Sequence, residues 1–141
     1  MQTSFTDKQL LDKDNKSSES ILRKCVHCGM CNATCPTFCV NGEELEGPRG
    51  RIYLIKDMLE NKKPANKKVV KHIDSCLSCY SCMTTCPSGV NYMHLIDHGR
   101  NYVEETYKRP FFDRLFRNVL SFVLPRPKVF LVLAYLTKLI K

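Results

Sequence analysis

The sequence predicts a mainly α-helical chain: a small domain stapled by cysteine-held metal, followed by an amphipathic helical extension. Three observations predict it. The pattern C-x2-C-x2-C-x3-C-P occurs twice, once from Cys25 to Pro36 and again from Cys76 to Pro87. The segments between and beyond these runs carry apolar residues at helical spacing, with no clear alternating strand. The chain is also short, at 141 residues with 43% apolar content and no Trp, so its core is modest. Folds of that size commonly recruit metals or disulfides where burial alone is insufficient.

Residues 1–20 are polar and read as a solvated tail with a short helix around Asp7 to Leu11. The tail has no apolar h-region, so it is not a secretory signal. Ile21-Leu22-Arg23 leads into the first cysteine run. Asn41-Gly42 through Gly47-Pro48-Arg49-Gly50 is turn-forming. Arg51 to Glu60 puts Ile52, Ile55, Met58 and Leu59 on one helical face. Lys62 to Lys68 is a basic link containing Pro64, and Val69, Val70 and Ile73 form a short helix that delivers the second run. From Asn91 to Tyr107 the period is helical through Tyr92, Leu95, Ile96, Gly99, Tyr102, Val103 and Thr106, and Gly99 allows a neighbouring helix to approach closely. Pro110 breaks this pattern. Phe111 to Leu124 is a second amphipathic stretch, ended by Pro125-Arg126-Pro127, and a last apolar stretch runs from Val129 to Ile140.

The chemistry lies in the cysteines. Without export they stay reduced, which favours metal ligation over disulfides, and an odd total of nine fits poorly with full pairing. A bare C-x2-C also serves zinc, but a four-cysteine zinc site uses two such pairs. That would leave no role for the third cysteine or for the fourth one before proline. Three cysteines at i, i+3 and i+6 wrap an iron–sulfur cube, and the Cys-Pro cysteine ligates the other cube. The expected ligands of cluster I are Cys25, Cys28, Cys31 and Cys86. Those of cluster II are Cys76, Cys79, Cys82 and Cys35. Two [4Fe–4S] clusters are therefore the expected cofactors, and the crossing places them near one another. The runs are separated by 40 helix-patterned residues, 36 to 75. Such a long gap indicates a helical ferredoxin-like dicluster domain rather than a compact βαββαβ ferredoxin. The expected division is a tail at 1–20, the dicluster domain at 21–109 and an amphipathic connector at 110–141.

Cys39 has no counterpart in the second run, where Val90 stands, and reads as a free, partly buried thiol. His27 and Gly29 match Ser78 and Tyr80 in position, and backbone N–H groups there can reach cluster sulfurs. His72, His94 and His98 read as surface or packing residues. There is no Ser/His/Asp or Cys/His catalytic arrangement, no phosphate loop and no flavin fingerprint, so no catalytic residue is expected.

The net charge of +8 treats every cysteine as neutral. Each cube with its four thiolates contributes about −2, which lowers the loaded protein to about +4. With no recognisable nucleic-acid motif either, nucleic acid is not an expected partner. In the tail the longest uninterrupted apolar run, Val129 to Leu136, falls short of the ~20 residues that span a bilayer. Packing against a protein partner and lying on a membrane surface are its two readings.

Several stretches together resemble the N-terminal part of the iron–sulfur subunit of bacterial glycolate oxidase (glycolate dehydrogenase). They are MQTSFT, ILRKCVHCGMCNATCPTF, GPRGRIYLIKDMLE and HIDSCLSCYSCMTTCPSGVNYMHLIDHGR. The resemblance implies flavin-binding partner subunits that oxidise glycolate to glyoxylate. It implies an electron-carrying role for this chain towards the quinone pool, in the cytoplasm or peripheral on the cytoplasmic face of the inner membrane. Matched by motif, the same eight cysteines are the ligands. Arg49, Arg51 and Tyr53 fall in a family-like stretch and read as a helix start packed beside the clusters. Family members continue into two repeats with Cys-Cys-Gly motifs that this chain does not contain, and Cys39 departs from the family pattern. The neighbouring readings are the iron–sulfur subunit of a lactate or glycerol-3-phosphate dehydrogenase complex and, from another class, a zinc-bound interaction module.

Overall fold

The computed structural model describes residues 1–139, so Ile140 of the last apolar stretch and Lys141 lie outside the described residues. The described residues form eight α-helices and no strand. In chain order these are α1 (Lys13–Lys24), α2 (Pro36–Asn41), α3 (Pro48–Asn61), α4 (Lys67–Asp74), α5 (Ser81–Thr85), α6 (Tyr92–Thr106), α7 (Phe111–Val123) and α8 (Pro127–Leu139). Single 3₁₀ turns occur at Gln9–Leu11, Met30–Asn32 and Glu44–Glu46. The helical character expected from the sequence holds throughout. The chain forms two units, Met1–Tyr107 and the residues from Lys108 on.

The N-terminal stretch is a correction to the expected solvated tail. Asp12 caps α1 by accepting from the Asn15 backbone N–H at 3.0 Å, which satisfies one of the helix's orphan donors. Ser18 is fully buried, with its Oγ 2.7 Å from His98 Nδ1 on α6. Gln9 is buried as well, and its amide donates to the Leu59 and Glu60 carbonyls at 2.8 and 3.0 Å. Polar side chains dock this segment, so it shows little of the apolar periodicity that marks a packed helix.

α3 starts three residues earlier than the apolar pattern suggests. Pro48 takes the first helical position, where its missing N–H costs nothing. Lys62, at φ 49°, ends α3 in the left-handed region. Asn66 and Asn91 cap α4 and α6 by accepting from Val69 and His94 N–H groups at 3.0 and 3.3 Å. The core joins Leu22 of α1, Ile55 of α3, Ile73 of α4, and Leu95 and Ile96 of α6, all fully buried. α3 and α6 approach closely at Gly99, where a Cβ would lie 2.8 Å from Ile55 Cγ1. This is the close approach that the sequence assigns to Gly99.

In the second unit, α7 carries Phe111, Phe112, Leu115, Phe116 and Val119 as exposed apolar side chains. Asp113 pairs with Arg109 at 3.4 Å and Arg117 at 3.1 Å, and the Arg126 guanidinium lies 3.9 Å from the centre of the Phe122 ring. No described helix is long and apolar enough to cross a membrane.

Candidate iron–sulfur centres

The two cysteine runs fold into matching loops. In the first, His27 and Gly29 take φ values of 60° and 84°; in the second, Ser78 and Tyr80 take 52° and 56°. Three of these four are non-glycine residues held in a region that L-residues rarely occupy. Left-handed residues on either side of the central cysteine curl the backbone into a concavity whose N–H groups favour anions. At φ 84° glycine is the unstrained residue, and a Cβ on Gly29 would meet the flexible end of Arg49, whose Nη1 would lie 2.9 Å away. Arg100 of α6 pins the second loop by donating to Ser78 Oγ and the Cys76 carbonyl, each at 2.7 Å. The short helices α2 and α5, which no sequence signal announced, position the remaining cysteines. α2 begins directly after Cys35 with Pro36 at its first position, and α5 contains Cys82 and ends at Cys86.

Each loop lines a cavity; the first also takes Cys82 and Cys86 from the opposite run, and the second takes Cys35. Cys25, Cys28, Cys31 and Cys86 line the first, along with Val26, His27 and Ile52. Cys35, Cys76, Cys79 and Cys82 line the second, along with Leu77 and Arg51. Cys82, Pro48 and Tyr92 border both, so the cavities adjoin. Cys28 and Cys79, which occupy the same place in their runs, are the exposed members. Cys39 lines neither cavity and is exposed, with its thiol 3.5 Å from the Ala33 carbonyl. It is more exposed than its reading as a partly buried thiol.

As free thiols, Cys31 and Cys82 resist ionisation. Burial, with the nearby Cys25, Cys86 and Cys28, pushes Cys31 up to about 11. Burial, with Cys31, Cys76, Cys35 and Cys79, pushes Cys82 up to about 12. The two cysteines are therefore charged only when a metal replaces their protons. Burial also keeps Tyr92 protonated far above the usual phenol range, and its hydroxyl donates to Cys76 Sγ at 3.7 Å. His27 Nδ1 is buried without a partner in the wall of the first cavity. Burial, reinforced by the Arg49 charge, holds that imidazole below its ordinary value. Soft thiolate sets, anion-favouring loops and an orphaned polar atom in the first cavity all fit an iron–sulfur cluster.

A charged network that the sequence reading did not single out lies behind the second cavity. Arg51 is fully buried. It donates through Nε to the His72 carbonyl at 2.6 Å and through Nη2 to Glu46 Oε2 and Ser75 Oγ, both at 2.9 Å. Its Nη1 lies 3.9 Å from Cys35 Sγ. His72 Nδ1 lies 2.7 Å from Glu46 Oε1. Burial raises the Glu46 carboxyl, but hydrogen bonds from Ser75 and His72 with the charges of His72 and Arg51 outweigh it and leave the group below its usual value. Arg51 shares the i, i+4, i+7 stripe of α3 with Ile55 and Met58. A charge on a buried stripe must be paired, and that was the available signal. Nothing in the sequence points to Glu46 and His72 as its partners. Arg51 does pack beside the cysteines, as expected, and His72 is a packing residue rather than a surface one.

Residues 21–90 match the family model of the 4Fe-4S dicluster domain. The helical fold, the paired cysteine cavities and this match define the class: the chain carries a 4Fe-4S dicluster domain, and [4Fe–4S] clusters are its cofactors. It is 52% identical over 130 residues to the glycolate oxidase iron–sulfur subunit of Escherichia coli, covering 92% of this chain and 32% of that protein. It is 32% identical over 117 residues to a probable glycolate oxidase iron–sulfur subunit of Bacillus subtilis, covering 79% of this chain and 26% of that one. A mitochondrial succinate dehydrogenase [ubiquinone] iron–sulfur subunit of Candida glabrata is 27% identical over 84 residues, covering 55% of this chain and 33% of that protein. The chain spans about a third or less of the length of these relatives. No solved structure matches it significantly. Within the dicluster class, the chain belongs with the glycolate oxidase iron–sulfur subunits over the portion it covers.

Proposed function

We propose that this chain is the electron-transfer segment of a glycolate-oxidising complex. Cys25, Cys28, Cys31 and Cys86 hold one cluster, and Cys76, Cys79, Cys82 and Cys35 hold the other. The observation that carries the assignment is that these eight cysteines line two adjoining cavities, with Cys86 of the second run in the first and Cys35 of the first run in the second, while Cys82 borders both. When bound, such a cluster takes up and returns one electron at a potential set by its surroundings. The chain's own residues hold it, shield it and tune it; none of them acts on substrate. Flavin-binding partner subunits oxidise glycolate to glyoxylate, and the electrons move on towards the quinone pool. The similarity to relatives named for glycolate oxidase supports this substrate over lactate or glycerol 3-phosphate. Residues 21–109 form the cluster domain and 110–141 a connector. The complex lies in the cytoplasm or peripherally on the cytoplasmic face of the inner membrane.

Anaerobic reconstitution tests the cofactor. The expected product is brown, absorbs broadly near ~400 nm and holds about eight irons, four per cube. A colourless protein with two zincs would overturn the reading. The substrate is tested in the complex assembled with its flavin subunits, where glycolate should reduce the clusters. Reduction by lactate or glycerol 3-phosphate in place of glycolate would reassign it.

A further inference from the structure

We infer that Arg51, backed by Tyr92, raises the potential of the cluster held by Cys35, Cys76, Cys79 and Cys82 above that of its neighbour. The inference rests on the ligand sets proposed above. Arg51 is locked by four oxygen acceptors: the His72 carbonyl, Glu46 Oε2, Ser75 Oγ and Thr37 Oγ1, the last at 3.1 Å. The guanidinium cannot swing away, so Nη1 stays directed at Cys35 Sγ, 3.9 Å away. Glu46 binds on the Nη2 side, so this buried pair presents its positive end to the sulfur. Tyr92, 3% exposed, directs a second donor at Cys76 Sγ. Arg100 adds a second positive group where it grips the Cys76 carbonyl.

The first cavity is differently furnished. Its arginine, Arg49, is 40% exposed and paired with the exposed Glu44 at 3.1 Å. Solvent and salt screen such a charge far more than a buried one. Reduction adds negative charge to a cluster, and donors to its sulfurs stabilise that charge and raise the potential. Burial and donor count therefore favour the second site. Arg51 acts through the ligand sulfur and is a positioning residue, not a catalytic one.

The test is an EPR-monitored redox titration of the reconstituted full chain. Total iron and the presence of two signals report on the ligand reading; the separation of the midpoints reports on the inference. Cys79→Ser identifies which signal belongs to the second site. Arg51→Met is made together with Glu46→Gln so that no buried carboxylate is left unpaired. The double variant should lower the reduced-to-oxidised ratio of the higher-potential cluster at least tenfold at a fixed poise. For a one-electron couple that is about 59 mV. The other cluster should change less than twofold, and Arg51→Lys, which keeps the charge, should recover most of the difference. Tyr92→Phe, a milder change, should lower the same midpoint at least threefold in ratio and decides the matter if the double variant does not fold. Equal shifts in both clusters, no shift, or assignment of the higher midpoint to the first site would overturn the inference. Fewer than two cubes in the wild-type chain would instead overturn the function on which it rests.

Discussion

Cys35 and Cys86 each line the cavity of the run to which they do not belong, and that exchange has a direct consequence. Cys35→Ser should cost most of the iron at the site shared with Cys76, Cys79 and Cys82, while the other site keeps its EPR signal. Loss of the Cys25–Cys28–Cys31 signal instead would mean that each run binds its own fourth cysteine. Cys39→Ser should leave iron content unchanged, because its exposed thiol faces neither cavity. The cysteines were legible in the sequence because their spacing alone encodes the chemistry. Arg51 was legible only as an anomaly, a charge on a buried stripe. Its partners Glu46 and His72 lie 5 and 21 residues away and meet it only through the fold.

At the scale of elements, the long helices α3 and α6 and the short α4 followed from apolar periodicity and the amphipathic α7 from its flanking prolines. α1 did not, because polar contacts hold it. Ser18→Ala would leave His98 Nδ1 without its buried partner, at a cost of about 1–3 kcal/mol. Denaturant unfolding should show that loss; unchanged stability would mean that α1 does not dock on α6. Gly99→Ala tests the crossing of α3 and α6. In an unpacked helix interior this change stabilises by up to about 1 kcal/mol, since alanine is the better helix former. Here the added methyl meets Ile55 Cγ1 at 2.8 Å and Cδ1 at 3.1 Å. Overpacking of that kind costs about 1–3 kcal/mol, so the sign should invert and the melting temperature should fall. A rise would show that the helices part freely.

For the molecule as a whole, the two cysteine loops and the apolar core depend on the clusters to different degrees. The core residues Leu22, Ile55, Ile73, Leu95 and Ile96 are fully buried against one another and need no metal to exclude water. The loops, by contrast, hold His27, Ser78 and Tyr80 at positive φ, which costs of order 1–3 kcal/mol at each position. Metal binding repays such costs, because the free energy of ligation is spent on ordering the ligands. Stripping the iron under anaerobic, reducing conditions should therefore release the strained loops first. Hydrogen exchange should speed up sharply in 25–36 and 76–87, while amides of α3 and α6 keep most of their protection. The exchange should slow again when iron and sulfide are restored. If all segments lost protection together, the clusters would be the keystone of the whole fold rather than of its loops. The helical core would then be too small to persist without them.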